Sequence, residues 1–132
     1  MRYCADTWFF IELSKNASEA KKIMRSLGKK KNILVVPTVT ILVLTRLAIK
    51  TGRITDLKDL LNAIEQSDFV KVIDCDLEIA EYAGQISATF GIPTVDSIIA
   101  ATTIKYNCHK LISKDTHFQI LKRHKLVKVL FW

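Results

Sequence analysis

Apolar residues recur along this chain with two different spacings, and the change from one to the other predicts where strands and helices lie. Short runs rich in β-branched and aromatic residues predict strands at residues 2–6, 33–36, 69–73, 109–113 and 127–131. Between these runs, apolar residues fall three and four positions apart, which is the spacing of one helix face. This second pattern predicts helices at residues 7–13, 17–27, 37–50, 77–90 and 93–104, and another with its apolar stripe within residues 57–64.

Strands that alternate with helices predict an α/β fold. The expected architecture has three layers, with a mostly parallel central sheet of four to five strands flanked by helices. The 132 residues fit one domain spanning residues 1–132, and a hydrophobic content of 49% is enough for a buried core. In open parallel sheets, functional sites gather beyond the carboxyl ends of the strands. Candidate residues are therefore sought at that edge.

The segment 33–45 is apolar and uncharged, as a membrane span would be. It is too short to cross a membrane, contains Pro37, and is flanked by Lys31 and Arg46. We interpret it as a buried strand followed by a core-facing helix. Acidic residues interrupt the apolar run at the N-terminus, which argues against a signal peptide. An odd number of widely spaced cysteines is typical of a reducing compartment. We therefore expect a cytoplasmic protein that does not associate with membranes.

The charge balance favours a polyanionic partner such as RNA. Lysine and arginine outnumber aspartate and glutamate by 20 to 13, which gives a net charge of +7. Basic residues cluster at positions 29–31 and 122–125, where they either bind phosphates or form solvated turns and helix ends. Lys114, next to Asp115, is the better candidate for a substrate phosphate contact.

Three aspartates are predicted to meet at the carboxyl edge of the sheet. Asp6 ends the first strand, Asp115 follows the fourth, and Asp96 lies in the first turn of the helix that begins after Pro93. Carboxylates this close raise one another's pKa, and a cation relieves the repulsion. Carboxylate oxygens suit Mg²⁺ or Mn²⁺, which can activate water against a phosphodiester. The alternative is that each aspartate only caps a turn or a helix.

Four segments of the sequence carry a resemblance to a known family. They are YCADTWFFIEL (residues 3–13), VPTVTILVLTRL (36–47), GIPTVDSIIAATTIKYN (91–107) and KLISKDTHFQIL (110–121). In this order and at these spacings they resemble the four blocks of PIN-domain ribonucleases of the VapC toxin kind. The resemblance covers essentially the whole chain, so it supports the fold predicted from the hydrophobic pattern.

The resemblance also implies a function and a set of site residues. It implies a metal-dependent endoribonuclease, the toxin component of a VapBC-type toxin–antitoxin pair, with Asp6, Asp96 and Asp115 as the catalytic metal ligands. Thr7 and Ser113 match the family's supporting hydroxyl positions. The implied cofactor is Mg²⁺ or Mn²⁺. The implied partners are RNA, an antitoxin protein and a second copy of the chain in a homodimer.

One family position is different in this chain. The glutamate of the second block is replaced by Val43, which cannot bind a metal or orient water. Thr40 and Thr45 are near in sequence, but a hydroxyl does not replace a charge. Two functions therefore remain open: a ribonuclease with weakened catalysis, or a PIN-fold module that binds RNA or protein without cleaving it.

Two further features of the sequence lead to expectations. Trp8, Phe9 and Phe10 are consecutive, so one helix face cannot bury all three, and we expect one or two of them to be exposed as a docking surface for the antitoxin or a second subunit. His117 lies near the predicted site, where we expect it to support the ligands rather than to bind metal.

Overall fold

The computed structural model describes residues 1–132, except for the side chain of residue 30. It contains five strands, which are β1 (Arg2–Ala5), β2 (Ile33–Pro37), β3 (Val70–Ile73), β4 (Lys110–Ile112) and β5 (Val129–Leu130). They form one sheet in the order β3-β2-β1-β4-β5, and every pairing is parallel. The sequence predicted a mostly parallel sheet of four to five strands, and the sheet is entirely parallel.

Seven helices connect the strands. They are α1 (Thr7–Ser14), α2 (Ser18–Ser26), α3 (Thr38–Thr51), α4 (Ile54–Gln66), α5 (Leu77–Phe90), α6 (Thr94–Lys105) and α7 (Gln119–Arg123). The first six confirm helices predicted from the apolar spacing. Helix α7 and two 3₁₀ turns, Lys29–Lys31 and Thr116–Phe118, were not predicted, because such short segments do not complete a recognisable apolar period. The predicted basic cluster at residues 29–31 includes Lys30, whose side chain lies outside the description.

Two apolar cores lie on opposite faces of the sheet. Successive strand residues point to opposite faces, so Cys4 belongs to the core with α5 and α6, while Ala5 belongs to the core with α1 to α4. Leu34 and Val35 on the neighbouring strand divide in the same way. The result is the three-layer α/β architecture expected from the sequence. Among the described residues, no helix is long and apolar enough to cross a membrane.

The aromatic run in α1 corrects an expectation from the sequence. Trp8, Phe9 and Phe10 are all buried, with exposed fractions of 7%, 0% and 4%. The expectation assumed that α1 has one covered face, but this helix contacts α2, α3 and the sheet, and the chain end covers it too. The indole of Trp132 packs against that of Trp8, with 4.8 Å between ring centroids. All three aromatic side chains are therefore buried, and the expectation that one or two of them are exposed is wrong.

Candidate active site at the carboxyl edge of the sheet

Asp6 is held rigidly at the end of β1, the central strand. It caps the N-terminus of α1, and its Oδ1 accepts a hydrogen bond of 2.7 Å from the backbone amide of Thr7. Its Oδ2 accepts a 2.6 Å hydrogen bond from the hydroxyl of Ser113. Because Ala5 pairs with Ile112 in adjacent parallel strands, the residues that follow them come out side by side. The strand register therefore brings Asp6 and Ser113 together.

Ser113 connects Asp6 to the loop that carries Asp115. Its side chain is fully buried, and its oxygen also accepts a 3.0 Å hydrogen bond from the backbone amide of Asp115. Asp115 in turn caps the 3₁₀ turn Thr116–Phe118, since its Oδ1 accepts a 2.9 Å bond from the amide of His117. The fully buried ring of Phe118 anchors this turn to the core.

Asp96 approaches the same loop from the first turn of α6. Its Oδ2 lies 2.7 Å from Nδ1 of His117, and the same nitrogen lies 3.0 Å from Oδ1 of Asp115. Among the described residues, Asp96, Asp115 and His117 form a group whose donor atoms all lie within 4.8 Å of one another. Asp6 is outside this compact group, although its charge contributes to the raised pKa of Asp96. We refer to Asp6, Asp96, Asp115 and His117 as the edge cluster.

The carboxylates of the edge cluster repel one another. Burial raises the pKa of Asp6 above its usual range, and the charge of Asp115 adds to the effect. Burial also raises the pKa of Asp96, followed by the charge of Asp115. The pKa of His117 is raised by its hydrogen bond to Asp96 and then by the charge of Asp115. Two carboxylates contact the single imidazole and that of Asp6 lies nearby, so the edge cluster carries an excess of negative charge that a bound cation would relieve.

The second of the four segments, residues 36–47, contains no acidic residue. In the first turn of α3, the Thr40 hydroxyl donates a 3.1 Å hydrogen bond to the carbonyl of Ala5 and so attaches the helix to the end of β1. Val43 follows three residues later, on the same side of the helix, and is half-buried. The Thr45 hydroxyl donates to the Ile41 carbonyl within α3, so it is already engaged.

The remaining predicted site residues are on the surface around the cluster. Lys114 is exposed between Ser113 and Asp115. The basic residues 122–125, at the end of α7, are exposed as well. Sequence reasoning treated His117 only as a neighbour of the site, whereas its ring contacts two of the acids. The feature of the sequence that could have indicated these contacts is the Asp-x-His spacing of Asp115 and His117. An aspartate that caps a turn accepts a hydrogen bond from the amide two residues later, so it holds that residue close to the aspartate carboxylate.

A separate apolar groove lies between α1, α3 and α4. It has a volume of about 480 Å³, and the edge-cluster residues are not among those that line it. Charged residues of both signs, including Arg53 and Asp59, stand at its rim. Its apolar lining consists mainly of Phe10, Leu13, Leu44, Leu47, Leu57 and Leu60.

Comparisons with known proteins agree with this fold. Residues 3–123 match the family model of the PIN domain. The fold is similar to a structure of VapBC2 from Rickettsia felis bound to a DNA fragment from their promoter, with a TM-score of 0.78 and 17% identity over 100% of this chain and 99% of that chain. No curated protein sequence gives a significant match.

Two other solved structures share the fold. VapC20 of Mycobacterium tuberculosis, described as a sarcin-ricin loop cleaving toxin, has a TM-score of 0.72 and 17% identity over 90% of this chain and 94% of that chain. A toxin–antitoxin complex from Klebsiella pneumoniae has a TM-score of 0.67 and 20% identity over 88% of this chain and 89% of that chain.

Proposed function

This chain belongs to the PIN-domain family, and we propose that it is a metal-dependent endoribonuclease, the toxin component of a VapBC-type toxin–antitoxin pair. The observation that carries the proposal is the edge cluster. Asp96 and Asp115, which come from separate parts of the sequence, lie close together at the carboxyl edge of one parallel sheet, where such folds hold their sites. Ser113 links Asp6 to the same loop. The toxin–antitoxin structures that share this fold support the proposal.

A divalent cation fits the donor set of the edge cluster. Oxygen donors from Asp6, Asp96 and Asp115 suit Mg²⁺ or Mn²⁺. Burial raises the pKa of both Asp6 and Asp96, and the charge of Asp115 raises both further, so a cation bound among these acids would relieve their repulsion. When bound, such a cation lowers the pKa of a coordinated water and stabilises charge on the scissile phosphate. Ser113 and the Thr7 amide fix the orientation of Asp6, so that its carboxylate is held in place before substrate arrives.

The charge distribution supports RNA as the substrate. The net charge of +7 attracts a phosphate backbone, and Lys114 is exposed directly beside Asp115. In this proposal the Lys114 ammonium binds a phosphate of the substrate, while the basic residues 122–125 contact the backbone further along. VapC20, which shares the fold, is described as a sarcin-ricin loop cleaving toxin.

Val43 supports a second candidate function. Since position 43 supplies no carboxylate, the chain has fewer metal ligands than the family pattern provides, and catalysis is correspondingly weaker. The alternative is a PIN-fold module that retains RNA or protein binding and has lost cleavage. Cleavage measured together with binding distinguishes the two functions.

The test uses the purified protein, a mixed RNA pool, and buffers containing Mg²⁺, Mn²⁺ or a chelator. We expect slow cleavage that requires the divalent metal and is lost in Asp96→Asn. Cleavage that persists in chelator, or that is unchanged in Asp96→Asn, would contradict the proposed site. RNA binding without cleavage under every condition would favour the binding module.

For the antitoxin, we propose docking in the apolar groove. Its leucine-rich floor and charged rim match the apolar and polar sides of an amphipathic helix. Leu47 of α3 lines this groove and is 39% exposed, whereas Ile49 on the same helix is 62% exposed and does not line it. These two residues form a matched pair for a test.

A small antitoxin encoded in a reading frame adjacent to that of this chain would be the partner for this test. Leu47→Gln is expected to weaken its binding by about tenfold or more, and Ile49→Gln to leave it unchanged. Equal effects of the two substitutions would exclude the groove as the docking site. Sedimentation analysis of the chain alone tests the homodimer that belongs to the same proposal.

A further inference from the structure

We infer that His117 is a metal ligand of the edge cluster, and that the site therefore prefers cations that accept an imidazole nitrogen over Mg²⁺. The inference rests on the proposed metal site and specifies which side chains hold the cation. It assigns a donor to a residue that the family pattern of acids does not include. In a chain where Val43 supplies no carboxylate, the imidazole provides an additional donor from the protein.

The distances around His117 fit ligands that share one cation. Its Nδ1 is 2.7 Å from Oδ2 of Asp96 and 3.0 Å from Oδ1 of Asp115. Adjacent donors around an octahedral cation with bonds of about 2.1 Å are separated by about 3 Å. The imidazole nitrogen therefore lies at about the spacing of a neighbouring ligand from each of the two carboxylate oxygens.

The backbone places residue 117 beside Asp115. The amide of His117 donates to Oδ1 of Asp115, and the next residue, Phe118, is fully buried. The ring is thus attached to a turn that is itself anchored in the core. The His117 side chain is 50% exposed and that of Asp115 is 35% exposed, so a cation can reach the donors from solvent.

The mixed donor set predicts a metal preference. Carboxylates alone suit Mg²⁺, whereas imidazole favours later transition metals, whose affinity rises from Mn²⁺ to Co²⁺. The site should therefore bind Co²⁺ more tightly than Mg²⁺, and the ratio of the two affinities should depend on the imidazole of His117. Replacing the imidazole by an oxygen donor should reduce that ratio.

The competing interpretation is that His117 acts only as a positive charge that balances Asp96 and Asp115. The two interpretations predict opposite effects. If His117 is a balancing charge, its removal frees both carboxylates and strengthens the binding of every divalent cation. If it is a ligand, its removal weakens the binding of Co²⁺ most.

The experiment is calorimetric titration of the full chain with Co²⁺ and with Mg²⁺, together with the visible absorption of bound Co²⁺. The variants are His117→Asn, which removes the imidazole, and His117→Asp, which supplies oxygen instead. His124→Asn serves as the control, since His124 is exposed at the end of α7 and packs against Phe90. Thermal unfolding of each variant verifies that it remains folded.

We expect His117→Asn to lower Co²⁺ affinity by about tenfold or more, to change Mg²⁺ affinity much less, and to alter the Co²⁺ spectrum. His117→Asp should retain metal binding but lose most of the preference for Co²⁺, and His124→Asn should behave as the wild type. Unchanged or tighter Co²⁺ binding by His117→Asn would overturn the inference and leave the proposed function intact. Failure of the wild type to bind either cation would overturn both.

Discussion

At position 43 the chain carries an isopropyl group where the resemblance to the PIN-domain family predicts a carboxylate. Thr40, one turn earlier on α3, is hydrogen-bonded to the end of β1, so this side of the helix faces the strand that carries Asp6. Val43→Glu should therefore add an acid near the edge cluster. General-base assistance is typically worth about 10²–10⁴-fold in rate, so we expect a gain in RNA cleavage of up to that size.

Two further results are expected if the gain in RNA cleavage by Val43→Glu comes from the edge cluster. The gain should appear only with divalent metal, and it should vanish when Asp6→Asn is combined with Val43→Glu. Without metal, the added like charge should lower the melting temperature. Rapid metal-dependent cleavage by the wild type would show that Val43 does not limit the reaction. A folded Val43→Glu protein with no gain would show that position 43 is not equivalent to the family glutamate.

Phe9 shows how far the environment of a single side chain can differ from a sequence expectation. It is fully buried, so Phe9→Ala should cost about 3–5 kcal/mol of unfolding free energy, as truncations of core phenylalanines do. Phe131, which is 54% exposed, provides the control, and Phe131→Ala should change stability by less than about 0.5 kcal/mol. Urea unfolding measures both. If Phe9→Ala weakened association with a partner but left stability unchanged, the residue would belong to a docking surface after all.

Local sequence patterns predicted most of the secondary structure, because each long element carries its own periodicity. The strand at residues 33–36 and the helix at residues 77–90 are visible from apolar spacing alone, and the structure has Ile33–Pro37 and Leu77–Phe90. Burial of α1 depends instead on what surrounds the helix. The packing of Trp132 against Trp8 joins the two ends of the chain, and no local pattern reports such a contact.

The N-terminus of α5 offers a test at the level of one element. Asp76 caps this helix, with Oδ1 accepting a 2.8 Å bond from the Ile79 amide, and Oδ2 lies 2.8 Å from Nζ of Lys105. Asparagine at position 76 can still accept the hydrogen bond that caps α5 but cannot form an ion pair with Lys105, whereas alanine can do neither. We expect the melting temperature to fall in the order wild type, Asp76→Asn, Asp76→Ala. The difference in melting temperature between Asp76→Asn and Asp76→Ala should persist in high salt, because it comes from the capping hydrogen bond and not from the ion pair.

The difference in melting temperature between the wild type and Asp76→Asn should depend on pH. The hydrogen bond from Lys105 lowers the pKa of Asp76 in the folded protein. A carboxyl with a depressed folded pKa stabilises the fold above its unfolded pKa, about 3.9, and loses that contribution as the pH falls through the folded value. The difference in melting temperature should therefore be present at pH 7 and disappear on acidification below that range. A difference that persists in strong acid would rule out the ion pair as its cause.

At the scale of the whole molecule, the strand order explains why distant residues meet. β1 lies between β2 and β4, so the segments that follow these strands all emerge at one edge. Alternation of strands and helices was enough to predict that Asp6, Asp96 and Asp115 approach this edge. It could not predict that His117 contacts both Asp96 and Asp115, because that contact depends on a three-residue 3₁₀ turn and on the rotamers of three side chains.

The central claim is that the edge cluster binds a divalent cation, and calorimetric titration with Mn²⁺ tests it most directly. The wild type is compared with Asp96→Asn and with Asp59→Asn, an exposed acid on α4 outside the cluster. We predict about one bound Mn²⁺ for each wild-type chain, with an affinity reduced by about tenfold or more in Asp96→Asn and unchanged in Asp59→Asn. Equal Mn²⁺ binding by the wild type and Asp96→Asn would contradict the claim.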